Sequence, residues 1–300
     1  MRVLITNDDG VDAPGLAALY EAVSAVADTT VVAPASERSA VGHAISVYHN
    51  ITLQPRERDG RVWAYAIDGT PADCVKMALT TIMKDAPPDL VISGVNRGQN
   101  TGTSILYSGT VAAALEATMA GFPAMAVSLA VHAPFMGDPA GLGLPADSRA
   151  LARTPEEFAY AARFAARLAQ LVAKRGLPKG VLLNVNVPML PADKIAGVAI
   201  SKMGHSVFVD EFKIVGETAG VVAYKNIGNR LIHSAEGDDW DDLVLRQRKI
   251  SITPLHYDLT HHHFLEELRA WWEAEEQAGR KLAETVADDL SRDLGAEVVG

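Results

Sequence analysis

The chain has 300 residues, of which 48% are hydrophobic and 21% charged, and its formal net charge is −10. That balance is typical of a globular protein with a sizeable core, and the negative charge argues against partners such as nucleic-acid polymers or anionic membranes. No apolar run approaches membrane-spanning length. Cys74 is the single cysteine, which excludes an intrachain disulfide and favours a reducing cytoplasm, so we expect a cytoplasmic protein.

The first 130 residues alternate between short apolar runs and amphipathic stretches, which predicts strands separated by helices. Strands are predicted at Val3–Thr6, Thr30–Ala33, Val62–Ile67, Leu90–Ser93 and Ala124–Leu129. Helices are predicted at Leu16–Val26, after the capping sequence Thr70-Pro71, and at Thr110–Met119. Because the strands are apolar on both faces, they are typical of a parallel sheet that is covered by helices on each side.

The pattern changes after residue 130. Ala133–Arg153 is rich in Pro, Gly and Ala and predicts a surface loop, and a capping box at Thr154–Glu157 begins a helix that runs to about Arg175. Val181–Val187 and Ile250–Leu255 predict further strands. Between Ile195 and Ile232 the alternating β-branched residues predict antiparallel hairpins.

A charged helical pattern from Phe264 to Leu294 predicts an arm that contacts a partner subunit. The expected fold is therefore α/β, a three-layer Rossmann-like, mostly parallel sheet with helices on both faces. We assign residues 1–260 to this domain, with a β-hairpin extension at about 203–235, and residues 261–300 to a C-terminal helical arm.

Ligands of open α/β sheets bind outside the carboxyl ends of the strands, and three polar segments are expected at that edge: Asp8-Asp9, Pro34–His43 and Gly94–Ser108. Adjacent carboxylates raise one another's pKa or recruit a cation. Carboxylate oxygens are hard ligands, which suit Mg²⁺ or Mn²⁺. An ordinary Asp-Asp-Gly turn is the alternative.

The other two segments supply further polar groups. Ser39 offers a hydroxyl ligand and Arg38 a guanidinium that attracts phosphate, although an ordinary connecting loop also explains them. Asn96 and Asn100 lie in a glycine-rich loop and offer neutral oxygens or amide donors. Ser108, Gly109 and Thr110 then place hydroxyls and free N–H groups at a helix N-terminus, which predicts an anion site. A long glycine loop with an ordinary cap is the alternative.

These motifs make the chain similar to the SurE family of stationary-phase survival proteins, which are metal-dependent 5′-nucleotidases. The resemblance is carried by Ile5–Gly10 with Pro14-Gly15, Ala33–Ser39, Asp68–Asp73, Ser93–Gly98 and Tyr107–Ala112, and more faintly by Ser251–Leu255. It is strong over residues 1 to about 130. Later segments match loosely, and Arg248 stands where the family usually carries glycine.

The resemblance implies one divalent metal ion per subunit, held by Asp8, Asp9, Ser39 and Asn96. It also implies that Asn100, Ser108 and Thr110 meet the phosphate, and the predicted helix N-terminus adds the N–H group of Gly109. The implied substrates are nucleoside monophosphates, with 5′-nucleotides first and 3′-nucleotides or other phosphomonoesters as extensions. The implied assembly is a homodimer or homotetramer with exchanged C-terminal elements.

Other residue clusters give weaker predictions. Asp238–Asp242 is a candidate second metal site, but it lacks the pattern of a Ca²⁺ loop, which favours a solvated acidic turn. His261–His263 lacks the i, i+4 spacing of helical metal pairs, which favours a surface or subunit-contact role. His43 is equally a candidate for substrate contact or for a structural role.

The sequence fits other function classes less closely. A dinucleotide-dependent oxidoreductase needs Gly-x-Gly-x-x-Gly after the first strand, where this chain has Asn7-Asp8-Asp9-Gly10. A receiver domain would be less than half this length. A non-catalytic nucleotide-binding regulator stays open. Because no Ser–His–Asp or cysteine nucleophile arrangement is evident, we expect direct hydrolysis, with Asp8 or Asp9 as candidates to accept the proton of water.

Overall fold

The computed structural model describes residues 1–131, 152–227, 230–234 and 237–277. Residues Met1–Tyr257 form one compact unit and the residues from Asp258 onward a second. The strands are β1 Arg2–Thr6, β2 Asp28–Pro34, β3 Leu53–Arg58, β4 Arg61–Ile67, β5 Leu90–Arg97, β6 Ala124–Ala130, β7 Val181–Pro188, β8 Val198–Ile200, β9 Val207–Val209, β10 Phe212–Thr218, β11 Val221–Asn226, β12 Arg230–Ile232 and β13 Ile250–His256. The helices are α1 Pro14–Ser24, α2 Pro71–Met77, α3 Gly109–Met119, α4 Pro155–Arg175, α5 Asp241–Arg246 and α6 His262–Gln277.

Nine strands form the central sheet, in the order β3-β4-β2-β1-β5-β6-β7-β13-β8. The six strands from β4 to β7 are parallel, whereas β3 and β13 run antiparallel to β4 and β7. The mostly parallel sheet is therefore confirmed. Strand β3 was not predicted, because Leu53–Arg58 is polar and carries Pro55, as an edge strand can.

Helices cover both faces of the sheet. Leu16 and Leu19 of α1 pack with Phe158 of α4 in one core, and all three are fully buried. Val75 of α2 and Val111 of α3 pack in the core on the opposite face. The three-layer prediction is confirmed. Among the described residues, no helix is long and apolar enough to cross a membrane.

Local capping explains where two predicted helices begin. The Asp73 N–H donates to the Thr70 hydroxyl (3.1 Å), and the Asp73 carboxylate accepts from the Thr70 N–H (2.9 Å). The Glu157 carboxylate accepts from the Thr154 N–H (2.9 Å) in the same way. Helix α4 then runs from Pro155 to Arg175, as the sequence predicts.

The expected hairpin is a separate two-stranded antiparallel sheet of β10 and β11, within the predicted extension. Strands β9 and β12, which flank this hairpin in the sequence, form a second antiparallel pair. The predicted loop Ala133–Arg153 and the predicted helix beyond Gln277 lie almost entirely outside the described residues. Arg248 adopts φ +60°, the left-handed region in which glycine is favoured.

Candidate active site

Asp8 and Asp9 follow β1, which lies between β2 and β5 near the middle of the parallel strands. The side chain of Asn7 shapes the turn that contains them: its amide donates to the Gly10 carbonyl (2.9 Å), and its oxygen accepts from the Gly10 N–H (3.2 Å). Gly10 has φ +101°, which a residue with a side chain rarely adopts. The turn therefore presents both carboxylates at the carboxyl edge of the sheet.

Asp8 is buried, with only 5% of its surface exposed. Burial raises the pKa of its carboxyl, and the hydrogen bond that the Thr110 hydroxyl donates to Oδ1 offsets this only in part. The Asp8 carbonyl also accepts the Arg38 N–H at 2.7 Å. One residue thus joins the end of β1 to the loop after β2 and to the first turn of α3.

Asp9 is a second carboxyl with a raised pKa, next to Asp8. Burial and the negative charge of Asp8 raise the pKa of Asp9 to about 7, although the Arg97 N–H donates to its Oδ2 at 3.0 Å. The charge of Glu37 raises the pKa of both carboxyls further. A bound cation would relieve the cost of ionising this pair.

The donor set of the site fits a divalent cation with hard oxygen ligands. Among the described residues, no group of three or more His, Cys, Asp and Glu side chains is placed to hold a metal. An ion between Asp8 and Asp9 would therefore complete its shell with hydroxyl, amide or water oxygens, the set that Mg²⁺ and Mn²⁺ accept. Ser39 supplies a hydroxyl in the loop after β2, and Asn96, which was expected in a loop, supplies an amide near the end of β5.

Both of these side chains already have partners. Asn96 follows the buried part of β5 and is half-buried, and its Nδ2 donates to the Gly98 carbonyl at 2.7 Å. Its neighbour Arg97 contacts Asp9, so the structure brings Asn96 next to the carboxylate pair. Ser39 is exposed, and its hydroxyl donates to Glu37 Oε1 at 2.6 Å.

Helix α3 begins against Asp8. The Ser108 hydroxyl caps the helix by accepting the Val111 N–H at 3.1 Å. A Cβ on Gly109 would lie 2.8 Å from Cβ and 3.0 Å from Oδ2 of Asp8, so only glycine fits there. The positive end of α3 and the carboxylate pair are therefore adjacent, and an anion and a cation bound here would be neighbours.

Asn100 is held by a buried hydrogen-bond network that the sequence did not predict. Its N–H donates to Asn186 Oδ1 (2.8 Å), and its carbonyl accepts from the amides of Asn184 (2.8 Å) and Asn186 (3.0 Å). Its own Nδ2 donates to the Ser128 hydroxyl at 2.9 Å. The sequence did carry one sign of this network. Strand β7 is otherwise apolar but has asparagines two residues apart, which lie on the same face of the sheet and indicate a polar partner there.

Arg38 and His43 anchor the loop after β2. The Arg38 guanidinium pairs with Asp68 at 2.7 Å. His43 Nε2 lies 2.9 Å from one carboxylate oxygen of Glu116, and Lys76 lies 2.7 Å from the other. These partners give His43 a structural contact, and they tie the loop to α2 and α3.

A cavity of about 380 Å³ opens beside Asp9. Its walls combine acidic, basic and apolar side chains: Asp9, Ala13, Pro14, Glu37, Arg97, Ala152, Arg153 and Phe158. Its volume lies within the range of small-molecule sites.

The expectation of a solvated acidic turn at Asp238–Asp242 is wrong for its last two residues. Asp241 and Asp242 are fully buried. Asp241 accepts the N–H groups of Gly102 (3.0 Å to Oδ2) and Gly204 (3.0 Å), and burial raises its pKa to about 6. The carboxylate is buried because it satisfies backbone donors from two distant loops, which no local pattern reveals.

Comparisons with known proteins find one family for this chain. The family model described as "Survival protein SurE" matches residues 3–210. The 5′-nucleotidase SurE of Syntrophobacter fumaroxidans is 43% identical over 90% of the chain and 99% of its own length, and that of Carboxydothermus hydrogenoformans is 38% identical over 93% and 98%. The crystal structure of a SurE protein from Aquifex aeolicus is similar with a TM-score of 0.71 and 28% identity, covering 90% of this chain and 99% of that one.

Proposed function

The chain belongs to the SurE family, and we propose that it is a 5′-nucleotidase that hydrolyses nucleoside monophosphates with the help of one divalent metal ion per subunit. The observation that carries the proposal is the carboxylate pair. Asp8 is buried and Asp9 beside it is partly buried, both have raised pKa values, and Asp8 packs against the N-terminus of α3. Such a pair favours a cation, and the helix end favours the phosphate of a substrate.

We propose that Asp8, Asp9, Ser39 and Asn96 hold the ion, as Mg²⁺ or Mn²⁺. A bound ion of this kind supplies Lewis-acid charge and lowers the pKa of water. Thr110 keeps Asp8 in place through its hydroxyl, and the Arg97 N–H does the same for Asp9. The carboxylates are thus oriented before any ligand arrives.

The phosphate is placed by the first turn of α3. The N–H groups of Gly109 and Thr110 belong to the turn that has no intrahelical partners, and the Ser108 hydroxyl stands at the cap. Donors aimed at developing negative charge lower the barrier of phosphate transfer. Asn100 stiffens the loop across from them through its contacts with Asn184 and Asn186.

The route is direct hydrolysis. Cys74 is buried among apolar side chains, and burial raises the pKa of its thiol, so it is unsuited to act as a nucleophile. The Ser108 hydroxyl accepts a backbone N–H, and His43 faces Glu116. Asp8 and Asp9 are the carboxylates placed to accept the proton of the attacking water.

A phosphate-release assay tests the proposal. Purified chain that has been stripped of metal should not release phosphate from nucleoside 5′-monophosphates, and Mn²⁺ or Mg²⁺ should restore release. Zn²⁺ should restore less, because the proposed ligands are all oxygens. Parallel reactions with 3′-monophosphates and a simple aryl phosphate measure how far the substrate range extends.

Two variants sharpen this assay. Asp9→Asn should be inactive in Mn²⁺, while Asp12→Asn should retain activity because Asp12 is an exposed residue outside the carboxylate pair. Full activity of the metal-free chain would refute the metal dependence. Nucleotide binding without any phosphate release would instead support the non-catalytic regulator.

We also propose a cytoplasmic homodimer or homotetramer with exchanged C-terminal elements. Phe212, Ile214 and Tyr224 of the hairpin are each at least 60% exposed. Trp271 and Trp272 of α6 are about half-exposed. Apolar surface of this kind favours burial against another subunit. Light scattering on the full chain should give a mass of two or four subunits, and a monomer at micromolar concentration would contradict this part of the proposal.

A further inference from the structure

Glu37 is a carboxylate that the expected set of metal ligands does not include. It lies in the loop after β2, two residues before Ser39, and its Oε1 accepts the Ser39 hydroxyl at 2.6 Å. It also lines the cavity beside Asp9. One residue therefore contacts a proposed ligand directly and faces the space next to another.

The main chain around Glu37 is held tightly against the carboxylate turn. A Cβ at Gly10 would come within 3.2 Å of the Glu37 nitrogen, and the Arg38 N–H donates to the Asp8 carbonyl at 2.7 Å. The loop thus has no room to withdraw from Asp8 and Asp9 without breaking these contacts. The negative charge of Glu37 acts on both carboxyls from this position.

A hydroxyl that binds a cation uses an oxygen lone pair, so its proton must point toward another acceptor. A carboxylate is the strongest acceptor that a side chain offers for this proton. Groups that accept hydrogen bonds from metal ligands orient those ligands and increase their affinity for the metal. The hydrogen bond from Ser39 to Glu37 has the direction that such a role requires.

We propose that Glu37 is a positioning residue of the metal site, which directs the Ser39 oxygen toward the ion and adds a third negative charge beside Asp8 and Asp9. This inference rests on the proposed function, because it concerns the same ion. The competing explanation is that Glu37 only pairs with the arginines that line the cavity and makes an incidental turn contact with Ser39.

Calorimetric titration of the metal-free chain with Mn²⁺ separates these explanations without measuring activity. Glu37→Ala removes both the acceptor and the charge, and it should weaken Mn²⁺ binding about 10- to 100-fold, the usual cost of losing such a partner. Glu37→Gln removes the charge but keeps an oxygen acceptor, so its affinity should fall between those of wild type and Glu37→Ala. Asp12→Asn removes an exposed negative charge three residues after Asp9 and serves as the control for net charge near the site.

The same two substitutions in a Ser39→Ala background isolate the hydrogen bond. Without the hydroxyl, Glu37→Gln and Glu37→Ala should bind Mn²⁺ equally, because both remove the same negative charge and no Ser39 hydrogen bond is left to distinguish them. Thermal unfolding in chelator checks that all variants are folded, which the exposure of Glu37 leads us to expect.

Three results would overturn the inference. Wild-type affinity in Glu37→Ala would remove any role in metal binding. An equal loss in Asp12→Asn would reduce the effect to net charge. A gap between Glu37→Gln and Glu37→Ala that persists without the Ser39 hydroxyl would deny the orienting role. Failure of the wild-type chain to bind Mn²⁺ at all would instead overturn the proposed function, and this inference with it.

Discussion

Replacing Asp9 with asparagine should stabilise the metal-free protein at neutral pH while abolishing its activity. Asp9 is a partly buried carboxyl, and desolvation and the charge of Asp8 raise its pKa from 3.8 to about 7. At pH values between these two pKa values, the Asp9 carboxyl is therefore protonated in the folded chain but ionised in the unfolded chain. Since the folded state binds more protons, the stability from this group falls as pH rises from about 4 to about 7 and stays low above it.

The magnitude follows from the size of this rise. At about 1.4 kcal/mol for each pH unit, ionising Asp9 in the folded, metal-free chain costs about 4 kcal/mol more than in the unfolded chain. That is a large fraction of the 5–15 kcal/mol that stabilises a typical domain. Asp9→Asn removes this cost, and its side-chain oxygen can still accept the Arg97 N–H.

Urea unfolding in chelator at several pH values measures the effect. Asp9→Asn should gain about 4 kcal/mol over wild type at about pH 8, and a gain of about 2 kcal/mol should remain at about pH 5. Added Mn²⁺ at a hundred times its dissociation constant should stabilise wild type by about 2.7 kcal/mol and the variant by less. A variant that is less stable than wild type at pH 8, or that follows the same pH profile, would refute this electrostatic reasoning.

Three further predictions concern the phosphate and metal contacts. Ser108→Ala should cut turnover by about 10²–10³-fold and cost about 1 kcal/mol through the lost helix cap, yet calorimetry should show unchanged Mn²⁺ affinity. Asn96→Ala strips a proposed ligand, so excess Mn²⁺ should recover part of its activity in the phosphate assay, and equal rescue of Ser108→Ala would show that the two roles are misassigned. Gly109→Ala would place a Cβ 2.8 Å from that of Asp8; both Mn²⁺ affinity and turnover should fall, and wild-type values for both would contradict the close packing of α3 on Asp8.

Much of the fold follows from short-range patterns in the chain. Val3–Thr6 is apolar on both faces, and β1 lies inside the parallel sheet as predicted. Helices begin directly after Thr70 and Thr154, as the sequence predicts. This prediction needs only local information, because a capping box joins residues three positions apart. The carboxylates of Asp8 and Asp9 stand at the carboxyl edge of the sheet because they follow β1 after a single residue.

The environment of those carboxylates was decided by contacts between distant parts of the chain. Thr110 donates to Asp8 across 102 positions, and Asp241 binds Gly102 across 139. Asn186 holds Asn100 across 86 positions. Such pairs depend on which strands become neighbours and in which register, and on how each loop packs over the sheet edge.

The sequence by itself therefore determined the order of most elements, the edge of the sheet at which the carboxylate pair lies and the residue types available there. Only the tertiary structure decided which polar groups are buried and paired. Capping and hydrophobic periodicity act over a few residues and leave a readable pattern. The burial that raises the pKa values of Asp9 and Asp241 depends on all the atoms that exclude water from them, and those atoms come from every part of the fold.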